Sequence, residues 1–279
     1  MLIRIWLKCW EIDDCIKTGT GSPAPLYERG CTMVNLMNEK MTVGELVAQY
    51  PQARKTLEKL GIDYCCGGKH DLKTAAAEKS VNLDALLAAL HEAIDAAAST
   101  EVSQNWTTAT LAELADHIEA KYHAFMKEQL PRLSLMLAKV KKAHGDNHGQ
   151  MLTELEDVYL SLREEIEMHL MKEEQILFPY IRQIEAYANG SGPKPQVHCG
   201  SVARPITQME HEHESAGHAL EQMRKLTNNY AVPDDGCATF AALYEGLAAM
   251  EDNLHEHIHL ENSILFPKAI ELEAKAGLK

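Results

Sequence analysis

The stretches HLMKEEQILFP (residues 169–179) and HIHLENSILFP (residues 257–267) are two copies of one pattern, H-x-x-x-E-x-x-I-L-F-P. Residues four apart on a helix lie one turn above each other, so His169 and Glu173 share a face, as do His257 and Glu261. A further histidine precedes each copy on an upstream segment: His123 before the first, His213 before the second. The chain from about residue 107 therefore reads as a duplicated helix pair. Four apolar-periodic segments, at 108–143, 148–189, 201–230 and 236–276, are separated by His144 to Asn147, by the Gly190 to Pro195 loop and by Ala231 to Gly236 with Pro233. That order predicts an all-α, up-down-up-down four-helix bundle over 107–276, with no β alternation to compete.

In such a bundle His123, His169, Glu173, His213, His257 and Glu261 converge on one interior place. Burying two carboxylates among four imidazoles without a cation is costly, and a metal removes the conflict. Six protein ligands exceed the roughly four that a tetrahedral zinc takes, and the set is too rich in nitrogen for calcium or magnesium. It suits two six-coordinate ions with both glutamates bridging. Each ion then receives about two nitrogens and two carboxylate oxygens, and an oxo or hydroxo bridge leaves about one open position apiece, where O2 or NO would bind. The imidazole content points to iron, although residue type also fits manganese or mixed metals. His117, His148, His211, His218, His255 and His259 lack the repeat's support and read as surface or supporting residues. His211 and His259 sit two residues from ligand positions, which turns them about 200° round the helix. Glu128, Glu174 and Glu212 are candidates to support the ligands or line their access.

Working outward, residues 39–98 predict a small helical domain. Thr42 and Glu45 form a capping box before Leu46 and Val47, a second short helix covers about 52–60 and stops at Gly61, and further helices cover 71–79 and 82–98. Between them lies Asp63-Tyr64-Cys65-Cys66-Gly67-Gly68-Lys69-His70, a glycine turn carrying adjacent thiols. A disulfide between such neighbours closes a strained ring and is readily reduced, and Lys69 and His70 are placed to lower a thiol pKa. The alternative is a structural turn with two half-buried thiols. Cys199 and Cys237 lie at helix starts, which favours the thiolate, and read as incidental small apolar residues. Residues 1–38 show no sustained period and read as an irregular extension of the kind an upstream start codon adds.

Composition bounds the rest. The 279 residues carry 27 Lys plus Arg against 41 Asp plus Glu, a formal charge of -14, which argues against nucleic acid as a partner. No run approaches the ~18 apolar residues of a membrane span. The apolar start, Met1 to Trp10, is broken by Arg4 and Lys8 and does not make a secretory signal. Seven scattered cysteines, an odd number, fit a reducing compartment, and a cytoplasmic location is expected.

Residues 40–276 resemble the iron-sulfur cluster repair di-iron proteins, also called repair of iron centers (RIC) proteins. The likeness is carried by DYCCGGK at 63–69, Tyr122-His123, the two H-x-x-x-E copies and the Met209 to His213 segment. It implies a hemerythrin-like bundle in which the six His and Glu residues hold a non-haem di-iron centre, bridged by Glu173 and Glu261. It also implies a stress-induced, cytoplasmic, usually dimeric protein that restores clusters damaged by oxidative or nitrosative stress. Under this resemblance Cys65 and Cys66 act in thiol redox or transient iron handling. The oxygen-carrying hemerythrins have five histidines and an aspartate bridge; four His and two Glu here favour labile iron over oxygen carriage. Three functions stay open: iron donation to damaged or apo iron-sulfur proteins, NO reduction to N2O, and O2 or NO sensing.

Overall fold

The computed structural model describes residues 40–97, 105–195 and 200–278. The extension at 1–38 with Cys9, Cys15 and Cys31, residues 99–104 of the joint between the two segments, and Cys199 lie outside the described residues. Among the described residues there is no strand, only an isolated bridge between Thr42 and Asp71, and no helix is long and apolar enough to cross a membrane.

Thr42 opens α1 (Val43–Gln49) with the expected capping box: its hydroxyl accepts from the Glu45 N–H and the Glu45 carboxylate accepts from its own N–H. Pro51 starts a 3-10 turn (Pro51–Ala53) that leads into α2 (Arg54–Lys59), and Gly61 ends it at φ +67°, a conformation open to glycine because it lacks Cβ. Asp71 caps α3 (Leu72–Glu78), and α4 (Leu83–Ala97) follows with Leu86 and Leu90 fully buried. The bundle comprises α5 (Leu111–His117), a π turn (Ile118–His123), α6 (Ala124–Lys172), a π turn (Glu173–Leu177), α7 (Phe178–Ala188), α8 (Ala203–Leu226), α9 (Ala238–Leu260), a π turn (Glu261–Leu265) and α10 (Phe266–Lys275).

Two boundaries differ from the sequence reading. Helical backbone runs unbroken through His144 to Asn147, where a connection is expected. The chain still doubles back there. Lys141 pairs with Glu156, Arg163 donates to Ser134 Oγ at 2.9 Å, and His123 lies 2.9 Å from Glu174. In one straight helix, His123 and Glu174 would stand roughly 75 Å apart. The three pairs are symmetric about His148 and Gly149, so the reversal falls in helix-like backbone. Gly145 and Gly149 both keep negative φ, and no proline intervenes, so the usual marks of a break are silent. α8 in turn ends at Leu226 rather than 230, because Asn228, Asn229 and Tyr230 take φ of 49°, 57° and 58°.

Two apolar cores result. One joins the N-terminal helices (Val43, Leu46, Leu57, Leu72) to Met126, Ile166, Leu170, Ala216, Leu254 and Ile258. The other gathers Tyr122, Leu177, Phe178, Met209, Leu260 and Phe266. Between Met126 and Tyr122, between Ile166 and Leu177, between Ala216 and Met209, and beside Ile258 and Leu260 stand the six predicted ligands. The polar residues thus form one layer across the bundle, closed on both sides by hydrocarbon.

Candidate metal centre

The I-L-F-P repeat shapes this layer. Phe178 N–H donates to the Glu173 carbonyl and Phe266 N–H to the Glu261 carbonyl, five residues back instead of four. The following residue in each copy is proline, which has no N–H and whose ring collides with the carbonyl four residues back. Widening the turn by one residue relieves that collision. Each glutamate therefore begins a π turn, a distortion that recurs at functional sites, and His123 ends a third.

All six residues come together and are buried, from 0% exposure at His123, Glu173 and Glu261 to 7% at His169. They form two clusters that share both acids: His123, His257, Glu173 and Glu261 in one, and His169, His213, Glu173 and Glu261 in the other. His123 and His257 approach to 3.1 Å through their Nε2 atoms, as do His169 and His213. Glu261 divides its oxygens, Oε1 lying 2.9 Å from His257 Nε2 and Oε2 3.2 Å from His213 Nε2. Glu173 Oε2 faces three rings, at 3.3 Å from His169, 3.5 Å from His123 and 3.7 Å from His257.

The Nδ1 edges are turned outward. His123 Nδ1 donates to Glu174 and His169 Nδ1 to Glu212, each at 2.9 Å, and Lys127 and Lys172 in turn hold those carboxylates. His213 Nδ1 donates to Asn262 Oδ1 at 2.9 Å. Phe178 stacks on His123 and Phe266 on His213, so the phenylalanine of each copy backs the upstream histidine of its own pair. Of the acids singled out from sequence, Glu174 and Glu212 hold rings of the two clusters. Glu128 does not: it is exposed, beside Gln129.

Without a cation this layer balances its charge with protons. Burial pushes the Glu173 carboxyl up, but the His169 and His257 rings outweigh it and hold it well below the usual carboxylate range. Burial lowers His169 and His257, yet the facing glutamates carry them up to about 10 and about 9. Burial depresses His123. Among the described residues, both Glu173 oxygens and Glu261 Oε2 have no hydrogen-bond donor although fully buried. Orphaned carboxylate oxygens facing Nε2 atoms are the donor set a pair of divalent cations satisfies, so these residues fit such a group.

The vicinal thiols lie against this centre. Asp63 Oδ1 accepts from the backbone N–H of Cys65 and of Cys66 and, at 3.1 Å, from the Cys65 thiol. Cys66 Sγ is 3.4 Å from the His213 carbonyl, and Asn262 Nδ2 donates to the Cys65 carbonyl at 3.3 Å. Lys69 and His70 do not serve the thiols as expected, because Lys69 pairs with Glu210 at 2.9 Å and His70 with Glu78 at 3.3 Å. The Cys65 thiol is instead pushed well above its usual range, by its contact with Cys66, by burial and by Asp63. Exposed Cys237 caps α9 and is drawn down to about 7 by His144 and by helix N–H groups.

The other histidines singled out from sequence stay outside the clusters. His211 and His218 are exposed, His117 stacks on Trp106, and His148 pairs with Asp235. His259 is buried, not superficial: its ring meets Tyr64 edge-on, as does that of His255, and burial takes it down to about 4. Sequence reasoning missed Asn262, although it occupies the position of Glu174 in the second copy. It also missed Glu256, which accepts from Tyr122 and pairs with Arg54 of α2, tying the small helices to the bundle.

Comparison with known proteins gives two family matches. The family described as Hemerythrin HHE cation binding domain matches residues 115–269, and one described as a domain of unknown function (DUF542) matches residues 39–94. The chain is 40% identical over 228 residues to the iron-sulfur cluster repair protein YtfE of Citrobacter koseri, covering 82% of this chain and 96% of that protein. The protein of the same name from Escherichia coli O81 is 41% identical over 231 residues, and that of an Enterobacter species 40% over 228, with the same coverage of both chains.

Proposed function

The chain belongs to the hemerythrin HHE cation binding family and to the family of the iron-sulfur cluster repair protein YtfE, and from that premise we propose that it repairs iron-sulfur clusters damaged by oxidative or nitrosative stress, holding two iron ions that it donates. The observation that carries the reading is the pair of buried clusters sharing Glu173 and Glu261. His123 and His257 would hold one ion and His169 and His213 the other, with Glu173 and Glu261 available to both. Iron bound there would supply redox chemistry toward O2 or NO.

The protein's own residues do the rest. Glu174, Glu212 and Asn262 each take the Nδ1–H of one ring and so turn its Nε2 inward, as the atom that would meet a metal. The two apolar cores exclude bulk water from the layer. His169 and His257, raised by the facing glutamates, would each give up a proton to a cation bound there. Cys65, Cys66 and Asp63 offer three further donor atoms beside His213; we read them as a transient holding point for iron in transit. Free vicinal thiols fit a cytoplasmic setting.

The test is metal analysis of the purified protein followed by transfer. About two irons per chain, lost in step with rebuilding of an apo iron-sulfur protein, is the expected outcome. Stoichiometric zinc with no iron would overturn it. N2O formation with no loss of iron would identify a NO reductase instead.

A further inference from the structure

We propose that the two metal positions are unequal: the His169/His213 position takes the first ion and the His123/His257 position the second, more weakly. This rests on the two-metal reading above. The two halves are related by the duplication, yet their supports differ. In the stronger half both rings donate Nδ1–H to a fixed acceptor: His169 to Glu212, itself held by Lys172 and Gln208, and His213 to Asn262. Asn262 is anchored in turn, its Nδ2 donating to the Cys65 carbonyl.

In the other half only His123 is so held, by Glu174. His257 is 1% exposed and its Nδ1 finds no partner among the described residues. The reason is readable in the repeat. Glu212, which precedes His213, supplies the acceptor for His169; the matching residue before His123 is Tyr122, which lies roughly parallel to the His257 ring at 6.1 Å and sends its hydroxyl to Glu256. An aromatic face accepts no strong hydrogen bond, so the His257 ring is oriented by packing alone. Loss of such an outer hydrogen bond typically weakens metal binding by about 10- to 100-fold.

Affinity must be separated from access, because His169, at 7% exposure, is nearer solvent than His123 at 0%. Equilibrium titration does that. Metal-free full-length protein is titrated anaerobically with Fe(II) by calorimetry, and a sample with one equivalent of isotopically enriched iron is examined by Mössbauer spectroscopy. Two steps separated by at least about tenfold, with isolated rather than paired iron at one equivalent, are expected. Asn262→Ala should narrow the separation, Asn262→Asp, which keeps an acceptor, should preserve it, and Glu174→Ala should widen it. Circular dichroism of each variant checks that it folds, and the Asp variant carries the test if Ala does not.

Two equal sites in the wild-type protein, or a separation that moves the same way in Asn262→Ala and Glu174→Ala, would overturn the inequality while leaving two bound ions intact. Uptake that stops at one ion per chain would overturn the two-metal reading itself.

Discussion

Replacing Glu173 by Leu separates a metal ligand from a structural core residue. The side chain is fully buried, neither oxygen receives a hydrogen bond, and its charge is compensated in the metal-free state by His169 and His257. Exchanging a buried ionic group for hydrocarbon is often neutral or stabilising by about 1–4 kcal/mol, provided its partners are not left charged and unpaired. Here neither is left unpaired, since His169 keeps Glu212 and His257 keeps Glu261, each at 2.9 Å. At roughly 2–4 °C per kcal/mol for a domain of this size, metal-free Glu173→Leu should melt level with the metal-free parent or several degrees above it. Iron should act in the opposite sense. A ligand at about 1,000 times its Kd stabilises by roughly 4 kcal/mol, so saturating Fe(II) should raise the parent's Tm by roughly 10 °C and the variant's little or not at all. The assay is anaerobic thermal denaturation with and without Fe(II), alongside iron per chain. A metal-free variant that melts far below the parent would make Glu173 a structural residue. A variant that keeps two irons and the full shift would remove it from the ligand set.

Other consequences follow from the same geometry. Loading at pH 7 should release about two protons per chain, because His169 and His257 are raised to about 10 and about 9 and must deprotonate; calorimetry in buffers of different ionisation enthalpy reads the number. Their raised values stabilise the metal-free fold fully below about pH 6.5, and that contribution is lost as pH rises through 9 to 10, so melts of metal-free protein should fall across that range while iron affinity rises. Gly44→Ala should loosen the contact of α1 with the Glu261 turn by about 1–3 kcal/mol, since a Cβ there would stand 2.6 Å from Ser263 Oγ and 3.0 Å from the Gly68 carbonyl; a parent-like denaturant midpoint would refute it. Peptide-resolved alkylation at pH 7 should modify Cys237 well before Cys65, the first exposed and drawn down to about 7, the second buried and pushed up; equal rates would contradict those environments.

What could be read ahead of the structure depended on whether a feature was local. The His-to-Glu spacing of four is local to one helix turn, and the repeat assigns it twice, so six residues could be named and their convergence expected. The capping box at Thr42 is likewise complete within four residues. The reversal at His148 and Gly149 sits beside the break at 144–147 read from sequence, but its form was not legible, because backbone there stays helical throughout. Lys69 and His70 are neighbours of the thiols in sequence, but their side chains turn to Glu210 and Glu78, partners that only the folded chain brings near. His259 shows the same limit. The two-residue offset correctly turns it away from the ligands, yet its burial depends on Tyr64 from a distant segment.

The duplication also explains why the supports were harder to see than the ligands. Comparing copies highlights what stayed the same, namely His, Glu and the I-L-F-P that forces the π turns. The residues that make the halves differ are those where the copies diverge: Glu174 against Asn262 after each shared glutamate, and Glu212 against Tyr122 before each upstream histidine. Each pair lies beside a ligand, so a change there alters the outer edge of a ring without touching the metal-facing atoms. A duplicated bundle can therefore keep one donor set for both positions and still give them different hold on their ions. If the protein donates iron as proposed, unequal positions would allow one ion to leave while the other keeps the buried carboxylates compensated.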